Sequence, residues 1–194
     1  MNVVIFSMII LGKGEEKSIR LGADVTEERI EVREQGSAVL HIVGAMVLQL
    51  EVVLSGADAS LEVIGRFEGK GEERQEIILR VIQQAPRTSA RVDFRVALRD
   101  GSSSFFDGLI RVEEGAKDAK GFLSYRALLL SPGARAKPIP RLEVLTKEVA
   151  SLGHAASVGK IDVEQMFYLQ SRGLPREAAE RLIIDGFLAI PKMA

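Results

Sequence analysis

Between residues 18 and 145 short runs of branched residues are cut by turn-forming clusters at near-regular intervals of roughly 15 residues, and this pattern most narrows the possible folds. The segments SAVLHIV, MVLQLEVVL, SLEVIGRF, QEIILRVIQ, ARVDFRVAL, FFDGLIRV and SYRALLL are rich in Val, Ile, Leu and Phe. RVDFRVALR alternates most clearly: Val92, Phe94, Val96 and Leu98 share one phase, and Arg91, Asp93, Arg95 and Arg99 the other, with Ala97 neutral between them. Turn signals fall at 55–59, 68–73, 85–89, 100–104, 114–118 and 131–136. No sustained helical period interrupts them, so long crossover helices are not expected. GKGEE occurs at 12–16 and 69–73, and SGADASLEV (55–63) is echoed by SPGARAKPIPRLEV (131–144). The expectation is a mainly β body of stacked, similar units over residues 1–145.

The pattern changes after Pro140. VEQMFYLQSR reads as a helix that Asp162 caps, with Gln165 three residues on and Gly173 as its stop. Pro175 suits the first turn of a second helix, PREAAERLIIDGFL, and Glu177 favours its N-terminal end. Ala178, Leu182, Ile183 and Phe187 form its expected apolar stripe, while Glu180, Arg181 and Asp185 are expected to face water. Residues 146–194 are therefore expected to form a C-terminal α-helical domain. Such short helices are marginal alone and must dock on the body or on a partner.

Composition removes several function classes. With 46% hydrophobic residues the chain can bury a core, and with 5% aromatics and no Trp that core must be aliphatic. A net charge of −1 gives no basic excess for nucleic acid and no electrostatic membrane anchor. The absence of Cys removes disulfides, zinc fingers and any thiolate-held cluster supplied by this chain alone. The opening MNVVIFSMIILG lacks a basic n-region and a small-residue cleavage site and is too short to span a bilayer. It reads as a buried strand, and a cytoplasmic protein is expected.

Few residues suggest catalysis. The paired glutamates at 15–16, 27–28, 72–73 and 113–114 would point to opposite faces of a strand, so they do not form an acid/base pair and read as solvated turns. GKGEE lacks the spacing of a phosphate loop. DGSSSFFDG offers serines but no elbow motif, and a hydrolase would need His41 or His154 brought in by the fold. His41 lies mid-strand, where a lone histidine is usually structural. His154 sits in a Gly/Ala/Ser-rich joint between body and helices. One imidazole falls far short of a metal site, and a histidine bonded to backbone at a corner remains the plain alternative.

The C-terminal half resembles the SufB/SufD family, scaffold subunits of the Suf iron–sulfur cluster assembly machinery. The resemblance rests on F-x-G-x-I-x-V from Phe106 to Val112, L-L-L-S at 128–131 and P-x-L-E-V at 140–144. To these add Gly153–Gly159 (GHAASVG), and E-x-x-F-Y-L-x-S-R-G from Glu164 to Gly173; QQAPRTSAR upstream is similar to a further family segment. The likeness covers roughly residues 75–190 well and the N-terminal part weakly.

The resemblance implies a right-handed parallel β-helix followed by a small helical domain. It implies a non-catalytic SufD-like subunit, dimerising through the β-body as a homodimer or as a heterodimer with a SufB-like paralogue. It further implies docking of the ABC-type ATPase SufC through residues 146–194, with Gln165, Tyr168, Arg172 and Arg176 as candidate contacts. His154 inherits a candidate cluster-ligand role, but Leu152 and Gly153 stand where the family usually has Cys and Ser. No cofactor is expected on this chain alone; at most it would share a transient iron–sulfur cluster with a cysteine-bearing partner. A stand-alone β-helical structural or interaction protein that has lost the assembly role is the alternative.

Overall fold

The computed structural model describes residues 8–21, 27–44 and 47–189. Its strands are, in chain order, β1 (Met8–Leu11), β2 (Glu16–Leu21), β3 (Glu27–Val32), β4 (Ser37–Val43), β5 (Val47–Leu54) and β6 (Ser60–Gly69). They continue with β7 (Arg74–Gln83), β8 (Ser89–Leu98), β9 (Ser103–Val112), β10 (Ala119–Leu129), β11 (Arg135–Val144) and β12 (Val149–Lys160). Two helices follow, α1 (Val163–Ser171) and α2 (Arg176–Leu188). Odd strands form one six-stranded sheet in the order β1-β3-β5-β7-β9-β11, even strands the other, β12-β10-β8-β6-β4-β2. Every pairing is parallel. Consecutive strands alternate between the two sheets, so the chain winds as a β-solenoid. The six expected turns all fall at junctions between consecutive strands, though residues 68–69, 89, 103–104 and 135–136 already belong to strands.

The alternation in the sequence becomes the inside and outside of this coil. Val92, Phe94, Val96 and Leu98 are wholly buried, as are Ile77, Leu79 and Val81 on β7 and Phe106, Ile110 and Val112 on β9. Three rings stack through the core: Phe94 to Phe106 at 4.6 Å and Phe106 to Tyr125 at 5.2 Å between centroids. Gly65 and Gly108 make room for them; a Cβ would lie 2.2 Å from the Phe94 ring at the first and 2.5 Å from the Phe106 ring at the second. One corner repeats a left-handed residue on successive coils, Gln35, Asp58, Arg87 and Asp118, each with φ between 56° and 61°. Their amides reach the next coil: Asp58 N–H donates to Pro86 O, Arg87 N–H to Lys117 O and Asp118 N–H to Glu148 O. The GKGEE echoes mark the β1–β2 and β6–β7 turns, where Gly14 and Gly71 take positive φ.

Residues 1–7, where most of the expected N-terminal strand falls, lie outside the described residues. Glu27 and Glu28 belong to β3 rather than to a solvated turn, and Glu28 is only 7% exposed, because the strand's inward phase includes it. Sheet pairing also continues past residue 145: β12 pairs with β10 as far as Lys160. β11 carries Pro138 and Pro140, yet its ladder with β9 runs from Arg135↔Ser103 to Val144↔Val112. An edge strand tolerates the missing donors, a central one does not.

Candidate functional site

The last coil and the helices behind it make up the C-terminal end of the molecule. β11 and β12 are the terminal strands of their sheets, so among the described residues no further strand stacks on them. In β12, Leu152, His154, Ala156 and Val158 oppose Gly121, Leu123, Tyr125 and Ala127 of β10. Leu123 and Tyr125 point into the core with 0% exposure, so His154 shares the inward phase. It is nevertheless exposed, because no further coil covers it. Val144 and Val158, in the same phase, are 43% and 45% exposed. The solenoid therefore ends on an open, largely apolar face with one imidazole in it. Among the described residues no group of three or more His, Cys, Asp or Glu could hold a metal ion. His154 alone does not fit an iron–sulfur cluster, whose irons require several ligands.

Helix α1 begins as the sequence indicates: the Asp162 carboxylate accepts the Glu164 N–H at 2.8 Å, and Gly173 closes the end at φ 91°. No residue of α1 is buried. Gln165, Tyr168 and Arg172 are exposed, with the Arg172 guanidinium 5.2 Å from the Tyr168 ring centroid. Arg176 is exposed at the start of α2 and lines a cleft of about 280 Å³ with Leu130, Ile161, Val163, Met166 and Glu180. Sequence reading passed over the most exposed apolar side chains of this surface, Val163 at 80% and Phe167 at 72%. Phe167 was visible only as part of a motif; its outward aim depends on how α1 is held. His154 lies six residues before the end of β12, about 20 Å along the strand from the helices. The four helical candidates thus all lie exposed on α1, its C-terminal end and the start of α2, with Arg172 over Tyr168 and Arg176 in the cleft, and His154 lies apart from them.

α2 is seated on the outer face of the even-stranded sheet. Ala179 and Ile184 are its buried residues, and Ile184 packs against Ala97 and Leu128. This corrects the expected stripe: Leu182 is 53% exposed and Ala178 is also exposed, because the helix turns the phase of Ala179, Ile183, Ile184 and Phe187 to the sheet. Ala97, unremarkable in the sequence, is the flat footing that lets the helix approach. Glu180 meets Arg99 rather than solvent alone, and Arg181 pairs with Glu68 and Asp185.

The helix end is gripped by the outward arginines of β6 and β8. Arg66 Nε–H donates to Leu188 O at 3.0 Å, and Arg95 Nη1–H to Phe187 O at 3.0 Å. Both arginines share Asp93, with Arg66 Nη2 2.7 Å and Arg95 Nε 3.2 Å from its Oδ2. Cations placed at the last carbonyls complement the helix dipole. Burial pulls the Arg66 guanidinium below its ordinary value, against the hydrogen bond and charge of Asp93.

Residues 22–187 match the family model for the SufBD core domain of the SUF system of FeS cluster assembly. The chain is 38% identical over 121 residues to the iron–sulfur cluster assembly protein SufD of Bacillus subtilis, covering 62% of this chain and 28% of that protein. It is 33% identical over 177 residues to an iron–sulfur cluster assembly SufBD family protein of Mycobacterium tuberculosis, covering 87% of this chain and 42% of that one. A SufBD family protein of Mycobacterium leprae is 30% identical over 174 residues, 86% of this chain and 43% of that one. The chain thus spans less than half the length of these relatives. It belongs to the SufBD family of iron–sulfur cluster assembly proteins.

Proposed function

We propose that this SufBD-family chain is a SufD-like, non-catalytic subunit that docks a SufC-type ABC ATPase through its C-terminal helices and associates with a second subunit through the open end of its solenoid. The single observation that carries the reading is α1. It hangs beyond the last coil with nothing buried and presents Val163, Phe167 and Tyr168 on one side, at 80, 72 and 56% exposure. A soluble monomer has no use for such a stripe on a helix that contributes nothing to its own core, whereas a helix that seats in a partner's groove needs it. Gln165, Arg172 and Arg176 supply a polar rim.

For the second subunit, β12 offers an edge without proline, while Pro138 and Pro140 blunt β11. A homodimer, or a heterodimer with a SufB-like paralogue, would cover Val144, His154 and Val158. In that interface His154 is a ligand candidate for a cluster held mainly by the partner's thiolates, the cluster being cargo passed on and not a resident group.

The test is light-scattering mass after size exclusion, for the chain alone and mixed with the cognate ATPase. Phe167→Asp should abolish association while leaving the β-sheet circular dichroism and melting temperature unchanged, since Phe167 is 72% exposed on a helix with no buried residue. Unimpaired association of that variant would overturn the docking. A chain that ignores the ATPase altogether would favour a β-helical structural protein that has kept the family fold alone.

A further inference from the structure

The outer face of the odd-stranded sheet treats its cations in two ways. Over most of it each cation meets a carboxylate on a neighbouring strand or a nearby residue. Arg29 meets Glu51; Arg80 and Arg141 flank Asp107; Arg111 meets Glu113 and Glu143. At the strand starts the pattern fails. Arg74, Ser103 and Arg135 occupy one row across β7, β9 and β11, so two arginines flank a serine with no carboxylate between them. In the next outward row Lys137 lies beside Phe105, its Nζ 5.7 Å from the ring centroid. None of these three cations has an ion-pair partner among the described residues, and only Glu76, across Phe105 from Lys137, faces them from this row.

These side chains line one groove of about 530 Å³. The strands that carry it are braced from their inward side: the Tyr125 hydroxyl donates to Ser104 Oγ at 2.9 Å, and Ser104 donates to Gln75 Oε1 at 3.1 Å, with Gln75 and Ser104 each 2% exposed. Adjacent parallel strands are about 4.8 Å apart, so Arg74 and Arg135 stem from points about 10 Å apart on either side of Ser103. Two guanidinium forks at that separation can close on one tetrahedral or planar oxyanion over the Ser103 hydroxyl. The groove is far larger than one such group, and Phe105 supplies apolar wall for the rest of a molecule.

We infer that this groove binds a small organic anion whose carboxylate or phosphate group is held by Arg74, Arg135 and Lys137. The inference goes beyond the assembly role and needs neither the ATPase nor a second subunit. It is tested by calorimetric titration of the full chain with citrate and, separately, with pyrophosphate at matched ionic strength. The double variant Arg74→Gln/Arg135→Gln should bind about tenfold or more weakly, whereas Arg91→Gln, an exposed cation of the other sheet, should bind as the parent does. Both arginines are exposed and unpaired, so the double variant should melt no lower than the parent without ligand. Binding of either anion with this loss identifies the site, and the one that binds names the source of the oxyanion. No binding of either, or equal binding by parent and double variant, overturns the assignment. So would binding of a polyglutamate peptide where both small anions fail, since it would make the groove an acidic-protein contact.

Discussion

Phe106 is the middle ring of the internal stack, and replacing it by alanine tests how the solenoid core is held. The side chain is wholly buried and touches rings on both sides, Phe94 and Tyr125. Burying a phenylalanine removes about 150–250 Å² from water, which at about 25 cal/mol per Å² gives roughly 4–6 kcal/mol as an upper figure. Phe→Ala changes in cores cost about 3–5 kcal/mol. For a chain of this size that corresponds to a fall of about 6–20 °C in melting temperature. The structure adds a sharper condition. Gly108 lies two residues on in the same inward phase, and a Cβ there would sit 2.5 Å from the Phe106 ring. Gly108→Ala alone should therefore cost about 1–3 kcal/mol through overpacking. In the Phe106→Ala background the same methyl enters the vacated space, so the two costs should fall short of additivity by about 1–3 kcal/mol. Urea unfolding of the four proteins, followed by circular dichroism, gives the cycle. Additivity within about 0.5 kcal/mol would refute the claim that glycine at 108 exists to admit the ring. Should Phe106→Ala not fold, Phe106→Leu leaves a smaller cavity and the cycle keeps its sign.

Three further outcomes follow from the geometry. Arg66→Met combined with Arg95→Met strips the carbonyls at the end of α2 and leaves Asp93 unpartnered; trypsin should cut between Arg172 and Arg181 several-fold faster with the β-sheet signal unchanged, and an unaltered cleavage rate would mean the clasp does not hold the helix. At Asp107 burial pushes the carboxyl up, but hydrogen bonds and charge from Arg80 and Arg141 outweigh it and hold it below its ordinary 3.8, so its stabilisation is present above that value and lost as pH falls through the lower folded one. Asp107→Asn should therefore be less stable than the parent near pH 7 and lose less stability between there and about pH 3, measured as urea midpoints. Asp162→Ala removes the cap of α1 at a cost of about 1 kcal/mol, which should speed amide exchange across 163–171 roughly fivefold and leave the exchange of β8 untouched.

How much of this was legible in the sequence depended on which residues had a periodic environment. In the middle coils every strand has a paired neighbour on each side, so alternation at Val92–Leu98 or Ile77–Val81 maps directly onto burial. At the C-terminal end that environment stops. β11 is masked by Pro138 and Pro140, which only an edge permits, and β12 by Gly153, Ala155, Ala156 and Gly159, whose small side chains carry little strand preference. His154 stood out by its setting, but its inward phase and open exposure depend on being in the last coil, which no local pattern records. The helical face of α2 was right at Ile183 and Phe187 but wrong at Ala178 and Leu182, because its seat, Ala97 with Leu128, is a property of the sheet and not of the helix. Arg95 was legible only as the phase opposite Val92–Leu98 and Arg66 carried no signal; a helix packing across them, more than ninety residues later in the chain, turned them into caps.

The seat of α2 and the freedom of α1 together bear on how a docked partner would act on the fold. α2 is tied to β6 and β8 by Arg66, Arg95, Arg99 and Glu68, so it moves with the interior strands of its sheet. α1 is joined directly to β12 through Ile161 and Asp162, and β12 is bound on one side only, by β10. A pull on α1 would therefore be resisted at α2 and yield first at β12, the one strand of that sheet with both an attached helix and an open edge. His154 sits near the middle of β12. On the proposed docking, force applied at Phe167 and Tyr168 reaches the imidazole along a single strand, without disturbing the Phe94–Phe106–Tyr125 stack behind it. Hydrogen exchange would separate the two routes: with the ATPase bound, protection lost in 149–160 and kept in 89–98 is expected, whereas loss in 89–98 would place the yielding joint at α2.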